Sequence, residues 1–286
     1  MHRVWFITGA SSGFGRALAE AVLKRGDDAV VCARRKAALD SLASQYGKSA
    51  LAIELDVTNA DARLRSVEAA LDRFRRIDVL ANIAGRGSLG AAEEFSLEQL
   101  REQMEVNFFA AAEMTRAVLP TMRAQRCGRI LQLTSIGGLV SIGGFGPYCA
   151  SKFALEAWSQ ALRDEVKPLG VGVTIVAPGA FRTEFAGPVN MRPARRIDAY
   201  RPVIDPIEAY LYGGNGKQPG DPAKAAEAMI AAVESEDPPL HLLLGEDAIG
   251  IWEQKQAEFS AELAAWKAIG EATAIDGAQA TPIGGS

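Results

Sequence analysis

Short apolar runs alternate along the chain with longer segments whose apolar residues recur at helical spacing. This is the pattern of repeated strand and helix units and of a parallel sheet sandwiched by helices. The runs at 4–8, 29–33, 50–55, 79–83, 130–134, 172–176 and 240–244 are mostly near-continuous, as strands buried on both faces should be. Seven strands are therefore predicted. Ser96 with Gln99 three residues later reads as a capping box that opens a helix over about 97–124. Asp221 before Pro222 opens another, through about 233.

The pattern changes over 185–220, where Pro188, Pro193, Pro202, Pro206 and Pro219 with Gly213, Gly214 and Gly216 should break any long regular element. Met191, Tyr200, Ile204, Tyr210, Leu211 and Tyr212 make this insertion too apolar for a plain linker, so it is expected to form a lid over substrate. Positions 249–269 predict one amphipathic helix with Trp252, Phe259, Leu263 and Trp266 near one stripe, expected to pack on the core, a partner surface being the alternative. The stretch 270–286 is rich in Gly, Ala and Thr without periodicity and is expected to fray.

Composition narrows the class. With 48% hydrophobic and 23% charged residues and a mean hydropathy of +0.02, the chain is neither disordered nor fibrous. A net charge of −4 and an isoelectric point near 5.4 argue against nucleic acid or an anionic membrane as partner. Cys32, Cys127 and Cys149 lack pairing or metal-ligand spacing, which predicts free thiols, a reducing compartment and a cytoplasmic location. His2 and His241 provide no cluster, so no structural metal is expected. The N-terminal residues read as a short strand running into glycines, not as a signal peptide. The longest uncharged run, 130–151, holds five glycines, Pro147 and Gln132 and fits a strand and loop better than a membrane span.

Directly after the first run stand Thr8, Gly9, Ala10, Ser11, Ser12, Gly13, Phe14 and Gly15, followed by a helical segment over 16–25. Glycines there let backbone approach a pyrophosphate, and the following helix aims its first amides and positive dipole end at the anion. Strand before and helix after is the context a dinucleotide site requires, the alternative being a mere tight turn. Tyr148 and Lys152 are four apart on a predicted helix and so share a face. A free phenol titrates near 10, so proton exchange at neutral pH needs a nearby cation, and Lys152 is the candidate. The alternative is an exposed tyrosine beside a solvated lysine. Ser135 lies at the end of the run 130–134, where open parallel sheets place ligands, with Thr134 as its neighbouring alternative. Asn107 falls inside a predicted helix although Asn is a mediocre helix former; a kink or a bound water would explain it. At the end of the second strand Ala33 is uncharged and Arg34 follows. A carboxylate there would select NAD(H), whereas arginine attracts a 2′-phosphate, so NADP(H) is expected, with NAD(H) as the alternative.

The loop T-G-x-x-x-G-x-G resembles that of the short-chain dehydrogenase/reductase superfamily. Further motifs follow in that family's order: Asp56-Val57, Asn82-Ile83-Ala84-Gly85, Asn107, Ser135, Tyr148-x-x-x-Lys152, and Pro178-Gly179 with Thr183. The resemblance spans about 4–245 and favours the shorter type of about 250 residues. Ile83 departs from it, standing where the family usually has a second Asn. The resemblance implies an α/β fold, a doubly wound Rossmann-type three-layer sandwich with a seven-stranded parallel sheet. It implies one catalytic domain over 1–248. It also implies a cofactor groove lined by Gly9, Ser11, Ser12, Gly13, Phe14, Gly15, Arg34, Asp56, Val57, Asn82, Ala84, Gly85, Tyr148, Lys152, Pro178, Gly179, Phe181 and Thr183. Within it Asp56 would meet the adenine amine, with helix initiation as its alternative, and Thr183 would orient the nicotinamide carboxamide. Lys152 would also bind the nicotinamide ribose, Ser135 would position a carbonyl, and Asn107 would relay protons through water.

These readings predict an oxidoreductase interconverting a ketone or aldehyde with its alcohol, Tyr148 acting as general acid/base. Ile136, Leu139, Val140, Ile142, Phe145, Leu89, Phe185 and the lid form the expected pocket, suited to a hydrophobic retinoid-, steroid- or lipid-like substrate, a short aliphatic ketone being the alternative. An NAD-dependent alcohol dehydrogenase and a catalytically silent NADP-binding sensor are the competing readings. The resemblance further implies a homo-oligomer, dimer or tetramer.

Overall fold

Seven strands form, each within two residues of its expected bounds: β1 (Val4–Thr8), β2 (Asp28–Ala33), β3 (Ala50–Glu54), β4 (Val79–Asn82), β5 (Gly128–Leu133), β6 (Val171–Pro178) and β7 (His241–Leu244). The structure, a computed structural model, describes residues 2–187, 190–275 and 277–278. All neighbouring strands run parallel in the order β3-β2-β1-β4-β5-β6-β7. Strand order therefore reverses between β1 and β4, opening a crevice at their C-terminal ends, the usual ligand position of such sheets.

The first helices are α1 (Gly13–Lys24), α2 (Lys36–Tyr46), α3 (Ala60–Phe74), α4 (Leu97–Met104) and α5 (Ala110–Gln125). They are followed by α6 (Gly146–Val166), α7 (Arg201–Gly213), α8 (Pro222–Glu234) and α9 (Glu246–Glu271). Strand alternation sorts the core into two layers. Trp5, Ile7, Ala29 and Val31 pack against Leu18 and Val22 of α1, Leu39 of α2 and Met229 of α8. Phe6, Val30 and Cys32 face Val67 of α3, Met114 and Val118 of α5 and Leu162 of α6. Both layers are apolar because a sheet buried on two faces leaves no solvated side for polar residues.

The capping box at α4 is complete: Gln99 N donates to Ser96 Oγ at 3.2 Å and Ser96 N donates to Gln99 Oε1 at 3.1 Å. Asp221 caps α8 by accepting from Ala223 N at 2.8 Å.

Two expectations need correction. The insertion over 185–220 is not wholly irregular, since it contains the 13-residue helix α7 despite Pro202 and Pro206. Pro202 occupies the first turn, where an amide would have no helical partner anyway. The bond lost at Pro206 is offset by burial of Ile204 and by the Arg201–Asp205 ion pair at 3.2 Å. The second concerns α9, which does not pack on the core: Ala248 near its base is buried, but every residue from 256 to 271 is exposed. The expected frayed tail 270–286 lies mostly outside the described residues.

Candidate active site

The glycine loop wraps the end of β1. Gly9 (φ +69°) and Gly13 (φ +54°) hold left-handed conformations that a side chain would strain. A Cβ on Gly9 would stand 2.9 Å from the Ala84 backbone, and one on Gly15 would stand 2.4 Å from the carbonyl oxygen of Gly9. The loop therefore closes only with glycine, and it delivers the N-terminus of α1 to the groove. Ser12 precedes α1 without capping it through its side chain, which leaves first-turn amides available to an anion. Thr183 lies against Gly13, and Phe181 packs on Phe14 at 5.0 Å between ring centres, so the segment after β6 covers the loop. Gly179 meets the Asp247 carboxylate of α9, which accepts from Ala180 N at 2.6 Å.

Thr8 ties β1 to the end of β4, its hydroxyl accepting from Ile83 N and Ala84 N at 3.0 and 3.1 Å. Asn82 turns its amide away from the groove, donating to Ala111 O, Thr115 Oγ1 and Gln132 Oε1. It thus fixes the strand carrying Ala84 and Gly85, while its buried Oδ1 has no hydrogen-bond partner among the described residues. Ile83, the departure from the family pattern, is buried in the first core layer.

At the adenosine end, Asp56 accepts from Thr58 N at 3.0 Å and Thr58 Oγ1 at 2.7 Å. Partial burial raises its pKa, but these bonds and the charge of Arg34 outweigh burial and hold it below the ordinary value. Arg34 is exposed and close enough to Asp56 for its charge to act there, while Asn59, not Asp56, caps α3. Arg35 was not singled out from the sequence. It reaches Ser11 at 3.3 Å and Glu184 at 3.1 Å, joining the glycine loop to the segment after Thr183.

The predicted reaction centre assembles. Tyr148 and Lys152 project from one face of α6 and are buried, with Lys152 Nζ 6.0 Å from the Tyr148 ring centre. Burial pushes the phenol above its ordinary pKa, opposed by a hydrogen bond with Ser135. Burial also lowers Lys152 to about 8, and its ammonium donates to Leu133 O at 2.7 Å. Ser135 follows β5, its hydroxyl accepting from Gly137 N at 3.0 Å. Asn107 lies in a π-helical turn, Glu105–Phe109, inserted between α4 and α5. That wide turn is the kink the sequence called for. Its amide donates to Arg86 O and Ser151 Oγ at 2.9 Å each, and its Oδ1 accepts from Arg86 N at 2.9 Å. A Cβ on Gly85 would come within 3.1 Å of Asn107 Oδ1 and 3.5 Å of Lys152 Nζ, so glycine keeps the two groups adjacent.

Over this centre lies the lid. Phe185 stacks on Tyr148 at 5.3 Å, and Ile204 and Ile207 of α7 meet Leu89 around Gly144. The lid is held by two carboxylates missed in the sequence. Glu94, with a fully buried side chain, accepts from Ala91 N at 2.8 Å, from Ile197 N at 2.7 Å and from Arg201. Glu93 accepts from Tyr200 Oη at 2.7 Å and pairs with Arg195. A signal existed: an acidic pair after the fourth strand, and Arg192, Arg195, Arg196 and Arg201 in the insertion. Among the described residues, no helix is long and apolar enough to cross a membrane, and no group of three or more His, Cys, Asp or Glu is arranged to hold a metal.

Comparison with known proteins agrees with this geometry. A family model described as short chain dehydrogenase matches residues 3–194. Oxidoreductase BOA17 of Botryotinia fuckeliana is 32% identical over 96% of this chain and all of its own. The 3-ketodihydrosphingosine reductase of Bacteroides thetaiotaomicron is 39% identical over 66% of this chain and 68% of its own. A short-chain dehydrogenase structure from Streptomyces avermitilis superposes with a TM-score of 0.90 at 42% identity, covering 96% of this chain and 100% of that one. A Burkholderia cenocepacia short chain dehydrogenase in complex with NADP matches with a TM-score of 0.71 at 28% identity over 92% and 96% of the two chains.

Proposed function

The chain belongs to the short-chain dehydrogenase family, and from that premise we propose that it interconverts a ketone or aldehyde and the corresponding alcohol with NADP(H), on an apolar substrate. The observation that carries this reading is the convergence of Ser135, Tyr148, Lys152 and Asn107 at the C-terminal end of the sheet, beside the glycine loop. The groove fits a dinucleotide because the space at Gly9 and Gly15 admits no side chain and α1 opens on uncapped amides. Arg34, exposed just past the end of β2 where Ala33 offers no carboxylate, suits a 2′-phosphate, and the Burkholderia cenocepacia relative is in complex with NADP.

When bound, the nicotinamide supplies a hydride to the carbonyl carbon or accepts one from the alcohol. Ser135 holds the substrate oxygen, and Tyr148 gives that oxygen its proton in the reductive direction. Burial keeps the phenol protonated, as a proton donor requires. Lys152, titrating near 8, is largely charged at pH 7 and stabilises the phenolate left behind. Thr183 orients the nicotinamide amide, and Asn107, one glycine away from Lys152, connects the proton path to solvent. Leu89, Phe185, Ile204 and Ile207 make the substrate side apolar. A relative named for a long-chain keto lipid is consistent with this.

The test is NADPH and NADH oxidation by wild type and Arg34→Asp with aromatic, steroid-like, long-chain and short aliphatic carbonyls. The expected result is turnover of apolar carbonyls with NADPH, and a shift toward NADH of roughly tenfold or more in Arg34→Asp. Turnover confined to polar sugars would overturn the substrate class. No hydride transfer with either cofactor in either direction would overturn the activity.

A further inference from the structure

The helix α9 runs for 26 residues, about 39 Å at 1.5 Å per residue. Among the described residues it is anchored only at its base, where Asp247 holds Ala180 N and Ala248 is buried. Beyond position 255 every residue to Glu271 is exposed, with Phe259, Leu263, Trp266 and Ile269 between 57% and 64% exposed. A helix with so little of its own chain against it gains little from propensity alone and depends on packing an apolar stripe.

The stripe has coiled-coil spacing. Trp252, Phe259 and Trp266 recur every seven residues, and Gln256, Leu263 and Gly270 fall four residues after each. This is the alternating three-and-four repeat of a two-helix seam. Its side chains are complementary to themselves when the helix is reversed. In the antiparallel register that sets Phe259 against Leu263 of a second copy, Trp266 meets Gln256 and Trp252 meets Gly270, large residues against smaller ones. On the flanks the same register sets Glu253 opposite Lys267, twice by symmetry. Parallel pairing would instead stack each tryptophan on its own copy and bring two globular bodies to one end of the pair. The unfavourable antiparallel contact is Glu262, which faces its own copy beside the two-fold axis.

We infer that α9 is a self-association helix, pairing antiparallel with α9 of a second copy in the register Phe259 to Leu263. From position 256 on the stripe is exposed and lies beyond the base of α9 that meets Gly179, so the dimer forms whether or not the activity proposed above is correct.

The test measures the oligomeric state of the full chain by analytical ultracentrifugation. Wild type is expected to dimerise, and Trp266→Ser to be monomeric. Glu253→Lys and Lys267→Glu should each weaken the dimer roughly tenfold, and the double swap should restore it. Glu262→Gln should tighten the dimer, whereas in parallel pairing Glu262 would face Lys267 and the same change would weaken it. In a Cys127→Ser background, Ser260→Cys should oxidise to a cross-linked dimer because position 260 meets its own copy across the axis, whereas Ala261→Cys, on the outer face, should not. A wild type that stays monomeric at tens of micromolar overturns the proposal. So does a dimer indifferent to all these changes, which would place the contact elsewhere.

Discussion

The two sides of the reaction groove are held by different kinds of bond. The wall, made of Ser135, Tyr148, Lys152 and Asn107, sits on the ends of β5 and α6 and on the π-turn, and most of its contacts go to backbone: Lys152 to Leu133 O, Asn107 to both backbone groups of Arg86. The lid adds charge to such bonds: beside backbone bonds of Met191 with Gly87 and Leu89 and the Gln99 amide, it is held through Glu94 to Arg201 and two amides and through Glu93 to Arg195 and Tyr200. Contacts rooted in regular elements persist as long as the sheet does. A segment whose fastening includes two carboxylates can open locally without unfolding anything else. Changes to the wall should therefore act on the chemical step, and changes at the fastening on access.

The largest effect should come from the wall. Tyr148→Phe removes the hydroxyl proposed as proton donor and leaves the ring that packs on Phe185, so kcat should fall about 10³-fold with cofactor affinity and Tm nearly unchanged. Steady-state kinetics, a cofactor titration and a melting curve check this. A large fall in Tm would make Tyr148 a packing residue and break the contrast.

A smaller effect is expected at the lid. Glu94→Gln keeps the shape but removes the charge facing Arg201, so KM for a bulky apolar carbonyl should rise roughly tenfold with kcat within about twofold. Hydrogen exchange should quicken over 192–213 and not in the sheet. The wild-type lid should also respond to acid in a defined window. Burial raises the Glu94 pKa, but the amides of Ile197 and Ala91 and the Arg201 guanidinium outweigh it and hold the group below 4.5. A carboxyl held low contributes its stabilisation above its unfolded value and loses it as pH falls through the lower folded one. Exchange over 192–213 should stay flat down to about pH 4.5, apart from intrinsic chemistry, and accelerate below it. Opening that begins near pH 6 would mean another group fastens the lid.

The same division decides what could be read from the sequence. The strands and the wall were legible because burial on two faces writes continuous apolar runs, and because Tyr148, Lys152 and Ser135 sit at fixed spacings on those elements. Even the misfit of Asn107 pointed to the π-turn that carries it. Asn82 was named as a groove residue from its motif alone; that its amide also ties β4 to α5 and β5 is a partnership between distant segments that spacing does not encode. Glu94 escaped for the same reason, its partners Ile197 and Arg201 being about a hundred residues away. In α7, tertiary burial of Ile204 overrode the breaking tendency of Pro206. In α9 the helix formed but the inferred partner was wrong, because apolar residues at helical spacing do not say that the same chain covers them.

At Lys152 of the wall the cost of burying a charge is not offset as it is at Glu94 of the lid, and there it can be measured. Burial lowers its pKa to about 8 from 10.5. Below pH 8 the lysine is charged in both folded and unfolded chains, and folding must bury that charge. Between about 8 and 10.5 the unfolded chain binds a proton that the folded chain does not, so this group makes stability rise with pH. Lys152→Met should accordingly raise Tm at pH 7 by about 3 °C while abolishing turnover, and the gain should shrink toward pH 10.5. Melting curves of both proteins across that range decide it. A gain independent of pH would trace the effect to packing, and a loss would show that the bond to Leu133 O outweighs the buried charge.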